Sequence, residues 1–469
     1  MLFYKAVLRR HARFPRGKRY GFFPSFSAAY RISEEPFFEP LRKAVDNLKI
    51  RLSYGSLGNQ QIGYYDFIQT ITTKGSMSDY SFDGTVLGQH ATVSDPVSGD
   101  QTWEKVVSKN LGLDLNMFNN RLSLTTDFYI RDTKGILGKG KSLPSIYGAS
   151  EPQMNANNLR TKGYELVLGW RDSFKLAGST FSYGITGTFS DYTAEYTKCD
   201  NPTGLIGDPY VGKKYGEIWG YKVDGLFRND KEAAEYASRI DLSTVASGYY
   251  TATGAYGKGV RGGDIKYLDL NGDNIVNGGK GTLDDPGDRR VIGNSSPRYQ
   301  YGASLNFSWY GFDVSVFMQG IGRLDWYPGA DNLRFWGPYC RPYATFVPKN
   351  FMSQVWSEEN PDAYFPRARA YTSLNSNSGT AYYTNDRYLQ NLAYCRLKNL
   401  TIGYTIPRRL TSKVGIKECR IYFSGENLAT WSALKSDFLD PEQAAADSDK
   451  KANVYPWCKT YSIGLNLTF

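Results

Sequence analysis

The run Asp269-Leu-Asn-Gly-Asp273-Asn-Ile-Val-Asn277 has the residue types and spacing of a loop that wraps a hard cation. Oxygen ligands at the first, third and fifth positions, with a backbone carbonyl at the seventh, suit Ca²⁺. The pattern assigns Asp269, Asn271 and Asp273 as side-chain ligands and Ile275 as the carbonyl ligand. Asn274 follows Asp273, and Asn takes the left-handed conformation that such a turn needs. The twelfth position is Lys280, which cannot ligate, so an acid from Asp284, Asp285 or Asp288 must return to the loop, and Asp288 completes the candidate set. The same residues also describe an Asx-rich turn with no metal. A bound ion would stiffen the loop and would not be catalytic.

A second chemistry is stacking. Aromatic residues gather in stretches without periodicity: Tyr64, Tyr65 and Phe67; Tyr210, Tyr215, Trp219 and Tyr221; Trp326, Tyr327, Phe335, Trp336 and Tyr339; Tyr382 and Tyr383. Flat faces with polar edges suit sugar rings or peptide side chains. Trp326, Tyr327, Asp331, Arg334 and Trp336 form the candidate substrate-binding group, because charged residues accompany the rings there. The competing readings are an interfacial girdle or packing. Acid pairs such as Glu34-Glu35, Glu358-Glu359 and Asp284-Asp285 invite a two-carboxylate glycosidase. Adjacent strand residues point to opposite faces, however, and no nucleophile or base surrounds these pairs. Only His11 and His90 are histidines, and Cys199, Cys340, Cys395, Cys419 and Cys458 form no C-x-x-C pair. The chain is therefore not read as an enzyme.

The elements that hold these residues are strands. The 469 residues include 48 Gly and 37 Tyr, and 15% are aromatic, while mean hydropathy is −0.48. This excludes disorder, which is poor in aromatics, and a helical membrane protein, which needs ~20 apolar residues in succession. Alternation with period 2 recurs along the chain. Leu122, Leu124, Thr126, Phe128 and Ile130 share one face, and Tyr164, Leu166, Leu168 and Trp170 another. The pattern repeats in Leu305, Phe307 and Trp309, in Phe312, Val314, Val316 and Met318, and in Leu400, Ile402 and Tyr404. It is cleanest in Tyr461, Ile463, Leu465, Leu467 and Phe469. Roughly 10 to 12 strands are expected. Some runs reach the ~9–11 residues that a membrane strand needs. Short joins at Asn119-Asn120 and Gly311 alternate with long irregular stretches at about 55–101, 132–160, 191–298 and 320–392. One short helix is expected over 230–238. Alternating turns and long loops describe an antiparallel transmembrane β-barrel. A soluble carbohydrate-binding β-protein is the alternative, and it requires the apolar faces to be buried between sheets.

Net charge is +10, spread along the chain apart from Arg9, Arg10, Arg13, Arg16, Lys18 and Arg19. No nucleic-acid motif accompanies that cluster, so nucleic acid is not an expected partner, and a solvated or lipopolysaccharide-facing loop fits better. The first residues lack the apolar core of an export signal. A strand that alternates to a terminal Phe469 is the form read by the outer-membrane barrel-assembly machinery.

These residues resemble a family. Gly21-Phe-Phe-Pro-Ser-Phe-Ser-Ala-Ala-Tyr-Arg-Ile-Ser-Glu-Glu35, Leu52-Ser-Tyr-Gly-Ser-Leu-Gly-Asn-Gln60, Trp103-Glu104, Asn110-Leu-Gly-Leu-Asp114, the run Asn120-Arg-Leu-Ser-Leu through Tyr129-Ile-Arg-Asp-Thr133, Lys162-Gly-Tyr-Glu165 and Trp219-Gly-Tyr221 stand in its order. Gly263-Asp-Ile-Lys-Tyr-Leu-Asp-Leu-Asn-Gly-Asp273, Val291-Ile-Gly-Asn-Ser-Ser-Pro-Arg-Tyr299 and Arg396-Leu-Lys-Asn-Leu-Thr-Ile-Gly-Tyr-Thr-Ile-Pro407 follow. Together they resemble the C-terminal barrel portion of SusC/RagA-type TonB-dependent outer-membrane transporters of Bacteroidota, over residues 14–469. Residues 1–13 fit poorly and are left unassigned. That family usually has Gly where Asn274 stands. The resemblance implies a plugged barrel of about 22 strands in the outer membrane, in contact with its lipid and lipopolysaccharide. It also implies TonB-driven uptake of glycan fragments or peptides and a SusD-like lipoprotein lid. Ten to twelve strands are about half of such a barrel, and unpaired edges in lipid are unfavourable. The chain is accordingly expected to be an N-terminally truncated portion, unable to transport alone and without plug or TonB box, or else to complete its barrel with another chain. A non-functional gene fragment is a further alternative.

Overall fold

The computed structural model describes all residues except 75–80, 83–84, 87–89, 141–142, 252–258, 341–346, 348, 370–373, 375–380, 437–438, 445 and 447–454. Twelve strands form one sheet in chain order. They are β1 (Leu2–Arg10), β2 (Tyr20–Arg31), β3 (Val45–Asn59), β4 (Glu104–Met117), β5 (Leu122–Lys139) and β6 (Gln153–Leu176). They continue as β7 (Ser179–Lys198), β8 (Arg298–Trp309), β9 (Phe312–Arg323), β10 (Tyr394–Thr405), β11 (Glu418–Ser432) and β12 (Thr460–Thr468). Each strand is hydrogen-bonded to its neighbours in sequence, with β1 and β12 at the two ends of the order. No helix among the described residues is long and apolar enough to cross a membrane.

The tight joins explain the meander. Tyr310 and Gly311 take positive φ of 47° and 82° between β8 and β9, and Ala177 and Gly178 take 50° and 83° between β6 and β7. Two successive left-handed residues match the twist of an antiparallel pair. Between β4 and β5, Phe118, Asn119 and Asn120 are all left-handed.

The chain divides into two compact units, residues 1–119, 124–165 and 192–214, and residues 120–123, 166–191 and 215–469. In the second unit, register aligns the apolar residues into rows. Phe307 faces Val314, Val314 faces Ile402, Ile402 faces Phe423 and Phe423 faces Ile463. The next row runs Trp309, Phe312, Tyr404, Ile421 and Leu465. Such a row is what period 2 produces when every strand keeps register. Among the described residues no second sheet covers it: Phe307, Phe312, Ile402 and Ile421 are exposed, and Ile463 is 84% exposed. The intervening residues Asn306, Ser315, Thr401, Ser424 and Ser462 make a polar row on the other face.

In the first unit the same division holds. Tyr30, Ile50 and Leu113 align in one row, and Tyr30 and Ile50 are exposed. The opposite face is laced with charge. Arg51 donates to Asp114 at 2.9 Å and bidentately to Asp127 at 3.0 and 2.9 Å, and Asn110 also donates to Asp127. A Cβ on Gly112 would stand 2.6 Å from the Arg51 guanidinium, so the glycine leaves room for it.

Two expectations are corrected. The unassigned start contains β1, which pairs with β2 from Leu2 opposite Ala28 to Arg10 opposite Tyr20. The stretch 132–160 is largely strand, because β5 and β6 run past their apolar bands. Polar side chains support that extension: Asn155 donates to Thr102 and Gly135 carbonyls, and Asn158 accepts from Gly135 N–H. The expected helix is present as α1 (Asp230–Ala237).

Candidate functional site

The segments 215–297 and 324–393 of the second unit build a core of their own. Asn229 caps α1 by accepting from Glu232 N–H at 2.9 Å. The helix places Ala233 and Tyr236 against Phe227, and the Tyr236 hydroxyl donates to the Tyr267 carbonyl at 2.7 Å. Trp336 lies at the centre with no exposed surface, edge-on to Phe335 and Tyr388. Its indole N–H donates to the Gly329 carbonyl at 3.1 Å. The Tyr339 hydroxyl donates to the Pro366 carbonyl at 2.6 Å. The Tyr327 hydroxyl lies 3.0 Å from the Tyr383 carbonyl and accepts from Asn385. The polar edges of Trp336, Tyr339, Tyr327 and Tyr236 are thus spent on backbone or neighbouring side chains, as buried Tyr and Trp require, whereas the buried indole N–H of Trp356 has no such partner. Burial also pushes the Tyr221 and Tyr364 hydroxyls up to about 12.

This corrects the stacking assignment. Trp326, Tyr327 and Trp336 are buried and hold the loops together, so they offer no open face to a ligand. Asp331 and Arg334 are exposed. Nothing in sequence spacing separates an aromatic loop core from an aromatic binding face.

The cation-type loop is closed by hydrogen bonds. Asp269 accepts from Gly272 N–H at 2.7 Å and from Asn274 N–H at 2.9 Å. Asn271 accepts from Asp273 N–H, and Asp273 accepts from Ile275 N–H and the Asn271 side-chain amide. Asn274 is left-handed at φ 64°, as the turn demands. Asp288 is the acid that returns, and it is fully buried. Its two oxygens accept from Leu270 N–H at 2.7 Å and Asn277 N–H at 2.9 Å, so it clamps both ends of the loop through backbone. The side-chain oxygens of Asp269, Asn271 and Asp273 have more lone pairs than these hydrogen bonds use. Their hard-oxygen chemistry fits Ca²⁺. No group of three or more acidic, His or Cys side chains converges as a metal site among the described residues.

Two charged clusters escape sequence reasoning. Asp264 and Arg369 form a buried pair at 2.6 Å. Burial pushes the Asp264 carboxyl up to about 6, against the pull of Arg369 and the Arg261 N–H. Arg396, on β10, pairs with Asp440 at 2.6 Å and Glu442 at 2.7 Å. The partners lie 105 and 44 positions apart, beyond any local pattern.

β12 carries the proposed assembly residues as expected from their alternation. Tyr461, Ile463, Leu465, Leu467 and Phe469 are all exposed, and the first four sit opposite Gly425, Phe423, Ile421 and Cys419 of β11.

No family model matches the chain. It is 27% identical to a TonB-dependent receptor of Formosa agariphila, over 96% of this chain and 42% of that protein. It is 23% identical to the TonB-dependent receptor SusC of Bacteroides thetaiotaomicron, over 98% of this chain and 41% of that protein. The chain thus spans about two fifths of the length of these relatives. Among solved structures, the RagAB peptide transporter matches with TM-score 0.71 at 21% identity, over 100% of this chain and 46% of that chain. The RagAB peptide importer in its open-open state matches with TM-score 0.70 at 21% identity, over 100% and 45%. That structural likeness carries the fold. With the sequence relatives, it bears out the resemblance to the C-terminal barrel portion of SusC/RagA-type TonB-dependent transporters.

Proposed function

We propose that this chain forms part of the wall of an outer-membrane nutrient importer that passes glycan oligomers or peptides, with no catalytic step of its own. One observation carries the reading: the apolar rows across β8–β12 are continuous, with Phe307, Phe312, Ile402, Ile421, Ile463 and Leu465 exposed and their neighbours half-buried, while the opposite face is polar. An exposed apolar band of that extent marks a membrane or partner surface, and strands alternating apolar-out and polar-in suit a barrel wall. The soluble alternative needs those rows buried, and they are not. The named relatives, receptors and a peptide importer, support the same direction. In this reading a SusD-like lipoprotein caps the long connections, the TonB complex supplies energy, and the barrel-assembly machinery reads β12. Outer-membrane lipid covers the apolar rows.

The test is reconstitution of the full chain into phospholipid vesicles, followed by protease digestion and mass spectrometry. Cleavage is expected within 199–297 and 324–393, with β8, β9 and β10 protected. A chain that stays monodisperse in buffer without detergent, with its strands cut as readily as its loops, would overturn the membrane reading.

The structural ion belonging to this reading is Ca²⁺ on Asp269, Asn271, Asp273 and the Ile275 carbonyl, with Asp288 holding the loop from behind. Calcium should raise the melting temperature of the chain, and Asp269→Asn with Asp273→Asn should abolish that rise. An identical melting curve with calcium and with chelator would remove the ion.

A further inference from the structure

Between β11 and β12, residues 439–444 lie against the polar face of the sheet at Arg396 and Lys398. The described residues 433–436 and 439–444 of this connection include a short helix, Pro441–Ala444. Charge holds it there. Arg396, 1% exposed, donates to Asp440 at 2.6 Å, Glu442 at 2.7 Å and the Thr430 hydroxyl at 2.9 Å. Lys398 donates to both oxygens of Glu442, at 2.9 and 2.7 Å.

Residues two apart on a strand lie on one face, so Arg396 and Lys398 can reach a shared target. A register shift falls between them: on β9, Leu397 and Asn399 pair with the successive residues Met318 and Phe317, whereas on β11 they pair with Ala429 and Glu426, and Lys398 is skipped in both registers. A bulge of this kind re-aims one side chain without ending the strand. Asn427, opposite the irregularity, is left-handed at φ 52°. Packing adds to this: Pro441 is buried, and Lys435 lies over the Tyr364 ring at 4.7 Å. Ala444 is buried beside Trp326 and Leu392, and Leu434 and Leu439 are only partly buried.

We propose that residues 433–436 and 439–444 form a strap, latched by Arg396 and Lys398 to Asp440 and Glu442, that opens as a unit without unfolding the strands or the aromatic loop core. Opening exposes two cations on the polar face. If that face is the water-filled side, as the import reading holds, an anionic solute passing along it meets them. The latch itself does not depend on that reading.

The experiment is native-state amide hydrogen exchange on the full chain in detergent, comparing wild type with Glu442→Gln and with Gln443→Ala as control. Glu442→Gln keeps the Asp440 helix cap but leaves Lys398 and one arm of Arg396 without a carboxylate. Removing one partner of a buried pair leaves an uncompensated charge, so exchange at 442–444 should quicken ~100-fold. Trypsin cleavage after Lys435 should quicken in parallel, and exchange in β9 and β10 and at 333–336 should stay unchanged. Unchanged exchange at 442–444 in Glu442→Gln would show that apolar packing alone holds the strap. Equal acceleration in strap, strands and loop core would show that the strap is not a separate unit. Either result overturns the proposal, and both are distinct from failure of the membrane test.

Discussion

Asp264 pairs with Arg369 at 2.6 Å, yet burial pushes its carboxyl up to about 6. Desolvation penalises the charged form more than Arg369, Arg367 and the Arg261 backbone N–H restore it. An unfolded aspartate titrates near 4, so between about 4 and 6 the folded state binds more protons than the unfolded state. Stability must then fall as pH rises through that window, by at most ~2–3 kcal/mol at about 1.4 kcal/mol per unit. Amide exchange at residues 259–267 should quicken from pH 4 to pH 6.5 beyond its intrinsic rate, and Asp264→Asn should flatten the profile. Equal slopes for the two proteins would assign the pH dependence elsewhere. The residue scale also shows where spacing misleads. The ligand-type loop was legible, because Asx turns and a left-handed Asn274 depend on neighbours a few positions apart. The roles of Trp336 and Asp264 were not, because each is decided by partners far away in sequence.

At the scale of elements, the strands were legible wherever one face is apolar. Register then follows, since a slip of one residue would turn the whole row over. The boundaries were less legible. β5 and β6 continue where neither face keeps an apolar run, and hydrogen bonds donated by Asn155 and accepted by Asn158 sustain them where periodicity has no signal. The tight joins are equally specific. Gly311 has φ 82°, and a Cβ there would meet the Thr405 carbonyl oxygen at 2.7 Å. Gly311→Ala therefore combines a left-handed penalty of ~1–2 kcal/mol with a backbone clash. A lower urea midpoint for folding into detergent micelles is expected, with the far-UV spectrum of the folded fraction unchanged. Wild-type stability in this variant would mean that the turn tolerates a different geometry.

At the scale of the molecule, two kinds of apolar surface coexist. The sheet leaves its rows exposed, whereas the connections bury theirs around Trp336, Tyr388 and Phe365. Trp336→Ala should cost ~3–5 kcal/mol, the usual penalty for emptying a large aromatic site. The loss should be local: faster proteolysis of 324–393, with β8–β10 keeping their exchange protection. Simultaneous loss of the strands would show that the loop core and the sheet fold as one. The sequence by itself determined the strand faces, the alternation of tight turns with long connections, and the likeness to a barrel wall. Each depends on residues two apart or on local turn chemistry. Only the tertiary structure decided that Tyr221, Tyr327, Phe335, Trp336 and Tyr339 are a core, that residues 2–10 join the sheet, and that Arg396 and Asp264 meet their distant partners. Burial and long-range pairing are properties of the folded chain, and a linear pattern does not record which side of a strand or ring will meet water.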